Sequence, residues 1–319
     1  MSGGLGLAVA EIDPSEQTAP PTAEGVVRVG VHRYGALPAK GLEGFDILLS
    51  ADPLAPAPWV GLAPDGVTAT IQALRTAVGR QPVAAAVAAQ VYRMSLSLDF
   101  DQALLLESLG YSMLLASEGF RTWRAANPVR QRPVNDRPRV ALTRQDGSLS
   151  IRLTRPNVRN AVDSRMRDEL AEALEFAAID PDAARVILSG EGPSFCAGGD
   201  LDEFGKAEDP GQAHAIRTLR SATRLVNALG PRGAARLHGA CVGAGIEIPA
   251  AARVVVARAG TVFRLPEVSM GLIPGAGGTA SIPRRVGRQR ACYMAISGCE
   301  LDVETALRWG LVDDLAAGP

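Results

Sequence analysis

Lysine occurs at only two of 319 positions, Lys40 and Lys206, so the 33 basic residues are almost all arginine, set against 34 acidic ones. The formal net charge of −1 leaves no basic excess of the kind a dedicated nucleic-acid binder carries. Aromatic residues make up 4% of the chain, too few for base-stacking platforms. The four cysteines (Cys196, Cys241, Cys292, Cys299) form no CxxC pair, and the histidines at 32, 214 and 238 supply no zinc spacing. That excludes a disulfide scaffold and a zinc module, and it suits a reducing compartment. No stretch approaches the ~20 apolar residues of a membrane span. The start, MSGGLGLAVAE, lacks the basic n-region and apolar h-region of a signal peptide. The expectation is a cytoplasmic protein without bound metal, with neither nucleic acid nor membrane among its partners.

What is present is a hydrophobic content of 47% and a mean hydropathy of +0.08, enough for a well-buried core. The length is about twice that of a usual single domain, which suggests two structural parts. Residues 1–24 are small, polar and proline-containing and are expected to be disordered. Val27, Val29 and Val31 alternate as in a strand, and 45–49 (FDILL) is a second strand candidate. From 68 to 126 good helix formers dominate, with Pro82 at a helix start. Residues 25–126 therefore read as a mainly helical accessory region. The Pro- and Arg-rich stretch 127–138 reads as a linker, and 139–319 as the main domain. In that domain Asp146-Gly147 between apolar runs signals a hairpin. Asp163 or Ser164 caps a helix, RVILS (185–189) and RVVVA (253–257) are strands, and one helix is expected over 213–229. The alternation points to a layered α/β fold.

Three glycine-rich elements carry the chemistry: SFCAGGD (194–200), HGACVGAGIEI (238–248) and FRLPEVSMGLIPGAGGT (263–279). None is a phosphate-binding loop, since GxxxxGK[ST] is missing, and GAGIEI lacks the last glycine of GxGxxG. Glu247 stands between Ile246 and Ile248, and a carboxylate in such company is rarely buried without a partner or a task.

In this order, together with RPNVRNA near 155 and ALRWGLVDDL near the end, these motifs resemble the enoyl-CoA hydratase/isomerase (crotonase) superfamily over about residues 140–315. The resemblance implies a crotonase-like spiral of β-β-α units and an acyl-CoA thioester substrate. It implies no cofactor, because coenzyme A is part of the substrate, and assembly into a homotrimer or homohexamer. By motif matching, Ala197 and Ala244 supply two backbone N–H groups to an enolate oxygen, Glu247 and Glu267 are the paired acid–base glutamates, and Gly275 lies beside the attacking water. The segment Ala197-Gly198-Gly199-Asp200 contacts the pantetheine and adenine through its main chain, and Arg155 and Arg159 meet the CoA phosphates. The activity implied is hydration of a 2-enoyl-CoA by a lyase. The other reactions within reach are double-bond isomerisation, thioester hydrolysis, decarboxylation and cofactor-independent oxygenation, or a catalytically quiet scaffold.

Three departures from the family pattern are visible. Pro249 follows Glu247 by two residues, where a bent helix is expected. Arg253 replaces a usual aspartate. The chain ends at Pro319, soon after GLVDD, where family members continue with helices that close the acyl pocket. LLLESLGYSMLLASEGFRTW resembles such a closing helix, so helices within 82–126 are expected to take over that cover.

Overall fold

A computed structural model of the chain describes residues 5–11, 25–130, 136–206 and 209–316. It begins with a four-stranded parallel sheet in chain order: β1 (Gly6–Glu11), β2 (Val26–His32), β3 (Ile47–Ser50) and β4 (Val60–Gly61). Val27, Val29 and Val31 are fully buried, as the alternation requires. The expected disorder of 1–24 is corrected in part. Residues 6–11 pair in register with 26–31, and Leu7 and Val9 rest on the core; residues 12–24 lie outside the described ones. Four helices follow: α1 (Gly66–Arg80), α2 (Pro82–Ser95), α3 (Phe100–Leu115) and α4 (Glu118–Ala126). Pro82 opens α2, where its missing N–H costs nothing. The α3 start carries a reciprocal capping box between Asp99 and Gln102.

The main domain opens with the hairpin β5 (Val140–Gln145) and β6 (Ser148–Leu153), turned at Asp146 and Gly147, both at positive φ. Next come α5 (Ser164–Ile179), capped by Asp163, and β7 (Arg185–Gly190). The helix expected over 213–229 is two helices, α6 (Pro210–Leu219) and α7 (Ala222–Ala228); Ser221 breaks the run by capping α7 with its hydroxyl. Then follow β8 (Gly233–Leu237), β9 (Ala240–Val242), α8 (Ala244–Glu247), β10 (Val254–Ala257) and β11 (Val262–Arg264). The chain closes with α9 (Gly278–Ser281), α10 (Pro283–Val286), α11 (Arg288–Ser297), β12 (Leu301–Asp302), α12 (Val303–Trp309) and β13 (Asp314–Leu315). Pro249 does not bend a longer helix. The α-helix ends at Glu247, and the proline opens a 3-10 turn over Pro249–Ala251.

Strands β13-β10-β8-β7-β6-β5 form a six-stranded sheet, parallel except for the hairpin, and β12-β11-β9 form a small three-stranded one. The region 25–126 is not a separate accessory unit. One continuous apolar core runs from Val27 to Val312, and α3 packs against both α6 and α9. Arginines of α11 tie the halves together: Arg290 donates to the carbonyls of Trp59 (2.8 Å) and Ala55 (3.0 Å), and Arg288 to that of Phe45 (3.0 Å). The expected linker 127–138 is described only in part; at its start the Arg130 N–H donates to Asp202 at 2.9 Å. Among the described residues no helix is long and apolar enough to cross a membrane.

Candidate active site

Between α3, α6, the 199–205 loop and the 275–277 turn lies a cavity of about 510 Å³, within the size range of small-molecule sites. Its chemistry starts at Gly243, at φ 50° and ψ −122°, a backbone conformation that disfavours any residue with a Cβ. An atom at its Cβ position would stand 2.4 Å from Glu267 Oε1 and 3.6 Å from Glu247 Oε1. The two carboxyl groups therefore converge on one glycine, and both line the cavity. They are held differently. Glu247 Oε2 accepts from the N–H groups of Ala276 (2.7 Å) and Gly278 (2.9 Å). Glu267 Oε2 is buried and accepts from no group among the described residues. A buried oxygen without a donor is uncommon enough to need a reason.

The third carboxyl of the site escaped the sequence reading. Glu107, on α3 and 1% exposed, accepts from Gly277 N–H at 2.7 Å and from the N–H and hydroxyl of Thr279 at 2.8 Å each. Its setting in LLLESLGY was the available signal, the same one that marks Glu247: a carboxylate among apolar neighbours. Burial raises all three carboxyls above the ordinary range, and the Glu247 charge raises Glu107 and Glu267 further. Glu247 is pulled partly back by its N–H donors and by the Arg217 guanidinium. Tyr111 completes the wall. A Cβ on Gly275 would lie 2.2 Å from its Cδ2, so the ring covers that glycine and leaves space for no larger residue.

The CAGGD loop corrects part of the donor assignment. The N–H of Ala197 is not open to a ligand, because it donates to the Arg159 carbonyl at 2.8 Å. The main chain of Gly198 and Asp200 is likewise committed, each to Val162 at 2.8 Å. Between them Gly199 lines the cavity, and its N–H makes no hydrogen bond among the described residues. The same is true of Ala244, whose N–H opens α8 and so lacks a helical acceptor. The proposed phosphate contact of Arg155 is also corrected. Its guanidinium is an internal strut, bonded to Asp200 (2.8 Å), the Ala161 carbonyl (2.7 Å) and Asp163 (3.3 Å). Arg159 is exposed, lines no part of the cavity and forms no ion pair among the described residues. The Asn of RPNVRNA is structural: buried Asn160 donates to the carbonyls of Glu191, Ser194 and Phe195 and so fixes the loop that leads into CAGGD.

A family profile described as enoyl-CoA hydratase/isomerase matches residues 143–318. Among curated proteins, the 2,3-dehydroadipyl-CoA hydratase of Escherichia coli (strain K12) is 34% identical over 176 residues, 55% of this chain and 68% of that one. The mevalonyl-coenzyme A hydratase SIDH of Beauveria bassiana is 34% identical over 52% of this chain and 62% of its own length. The crystal structure of an enoyl-CoA hydratase from Thermoplasma volcanium GSS1 superposes with a TM-score of 0.52 at 32% identity, covering 56% of this chain and 72% of that one. The fold is crotonase-like, and the chain belongs to the enoyl-CoA hydratase/isomerase family.

Proposed function

We propose that this protein is an enoyl-CoA hydratase, a lyase that adds water across the C2–C3 double bond of a 2-enoyl-CoA thioester. The observation that carries the reading is the convergence of Glu247 and Glu267 on Gly243, beside the uncommitted N–H groups of Gly199 and Ala244 in one cavity. Gly199 takes the donor role that the sequence assigned to Ala197. With the thioester oxygen between these two N–H groups, the enolate charge that develops as water attacks C3 meets preorganised donors. One such donor is worth ~10²–10³ in rate.

The two glutamates divide the proton work according to their surroundings. Glu247, steadied by two N–H donors and by Arg217, is the better carboxylate and takes the proton of the attacking water. Glu267, buried beside that charge with an unpartnered oxygen, is held as the acid that delivers a proton to C2. Water loses one proton and C2 gains one, so the step balances with no further cofactor. Gly199 remains the proposed CoA-facing main-chain group, Arg159, exposed outside the cavity, the proposed phosphate-facing one, and Gly275 the water-facing one. Leu105, Leu109 and Met113 leave an apolar stripe exposed on α3, which supports self-association; a homotrimer or homohexamer in the cytoplasm is the form that this reading takes. A panel of enoyl-CoA esters, followed by the loss of enoyl absorbance, tests the activity. Turnover of none of them, with the chain folded, would refute it.

A further inference from the structure

Arg217 presents a cation to the cavity that no carboxylate among the described residues pairs with directly, although it acts on Glu247 at longer range. It projects from α6, lines the cavity, and forms no ion pair among the described residues. Its placement is built. The guanidinium carbon lies 4.2 Å over the Tyr111 ring, and Nη1 donates to the hydroxyls of Ser108 (3.1 Å) and Ser112 (3.0 Å). Both serines are buried, and Ser108 is itself fixed by His214 Nδ1 at 2.9 Å. These partners are neutral, so they orient the fork without cancelling its charge. Nε and Nη2 make no hydrogen bond among the described residues, and neither is a buried orphan, so both stay accessible as donors.

The carboxyl groups nearby do not fill the role. Glu107 is committed to Gly277 and Thr279, and Glu247 to Ala276 and Gly278. None of the site's carboxylates is within 4 Å of the guanidinium. A planar fork with open donors matches a carboxylate in two-pronged fashion. The Tyr111 ring touches both Gly275 and that fork, so Arg217 lies in the same cavity as the glutamates and within one aromatic ring of Gly275.

We infer that Arg217 receives a carboxylate carried by the acyl chain, so that the substrate class is a short enoyl-CoA ending in a carboxylate rather than a methyl group. This rests on the hydratase reading above. It is tested first on the wild-type protein, by comparing kcat/KM for carboxylate-ended and methyl-ended 2-enoyl-CoA esters of equal length. A preference of about a hundredfold or more for the acid is expected, because a site that holds polar donors discriminates strongly against a ligand that leaves them unpaired. In Arg217→Met that ratio should collapse by about a hundredfold, the usual scale for losing one member of a desolvated charge pair. Arg217→Lys, which keeps charge but not the fork, should fall between. Equal kcat/KM for the two esters in the wild type, or an equal loss for both in Arg217→Met, overturns the inference; the second result would mean that the arginine serves the CoA phosphates or the glutamates. Calorimetric binding of saturated ω-carboxyacyl-CoA against the methyl-ended acyl-CoA of equal length needs no turnover. Tighter binding of the acid that Arg217→Met abolishes upholds the inference even if hydration fails, and equal binding refutes it.

Discussion

Glu107 and Glu247, 140 positions apart in the chain, hold alternate N–H groups of one short stretch: Glu247 takes Ala276 and Gly278, Glu107 takes Gly277 and Thr279. One carboxyl comes from the N-terminal helices and the other from the glycine-rich core, so the turn that borders the cavity is gripped from both sides. The N-terminal helices thereby help to hold the turn that borders the cavity.

Glu107→Ala should therefore loosen the 275–279 turn and weaken the whole protein. Three buried donors lose their acceptor, each such loss costing ~1–3 kcal/mol, partly offset by removal of a buried acid. Denaturant unfolding should show a loss of about 2–4 kcal/mol. Turnover should fall at least tenfold, while a melting curve confirms a folded chain at the assay temperature.

Glu247→Gln and Glu267→Gln should each lower kcat by ~10²–10⁴, the usual worth of a positioned acid or base. Losses below tenfold in both would contradict the division of proton work between them.

The pH dependence follows from carboxyls raised by burial. Activity should be lost toward acid as Glu247 takes up a proton, at a pH above the ordinary carboxylate range, and toward alkali as Glu267 gives one up. Stability follows the same groups. In the unfolded chain they ionise at ordinary values, so between those values and the raised ones the folded state holds more protons. Stability should then fall as pH rises through that window, by roughly 1 kcal/mol per pH unit for each group. In Glu107→Gln the slope should flatten by about one group's share, read from unfolding midpoints between pH 5 and 8.

Gly275→Ala tests the wall. Its Cβ would meet the Tyr111 ring at 2.2 Å, and a ring packed in the core has little freedom to retreat. Overpacking of this kind costs ~1–3 kcal/mol. Because Tyr111 also supports Arg217, the substitution should reduce turnover more than its effect on the melting temperature suggests.

Deleting residues 1–126 removes Glu107 and Tyr111 and bares the core that α2 and α3 cover. The remainder should aggregate or be inactive, as light scattering and turnover would show. A truncated chain that stays soluble and hydrates its substrate normally would contradict the role given to these helices.

Local physics was legible in the residues themselves. The Asp146-Gly147 turn needs positive φ twice, the Asp163 cap needs an oxygen ahead of an apolar-periodic run, and Pro82 can only open a helix. The family and its two core glutamates were equally legible, because their motifs are contiguous and their spacing is fixed by the loops that carry them. Other features depended on which backbone groups were already spoken for. Whether the N–H of Ala197 or that of Gly199 faces the cavity is decided by the carbonyl of Arg159, which lies 38 positions earlier in the chain. Arg155 reads as a free cation until Asp200 and Asp163 close on it. Glu107, Tyr111 and Arg217 join the site only because α3 packs across α6 and α9. Sequence sets what each residue can donate, accept or bury; only tertiary packing decides which of those capacities are consumed inside the protein and which are left for a ligand.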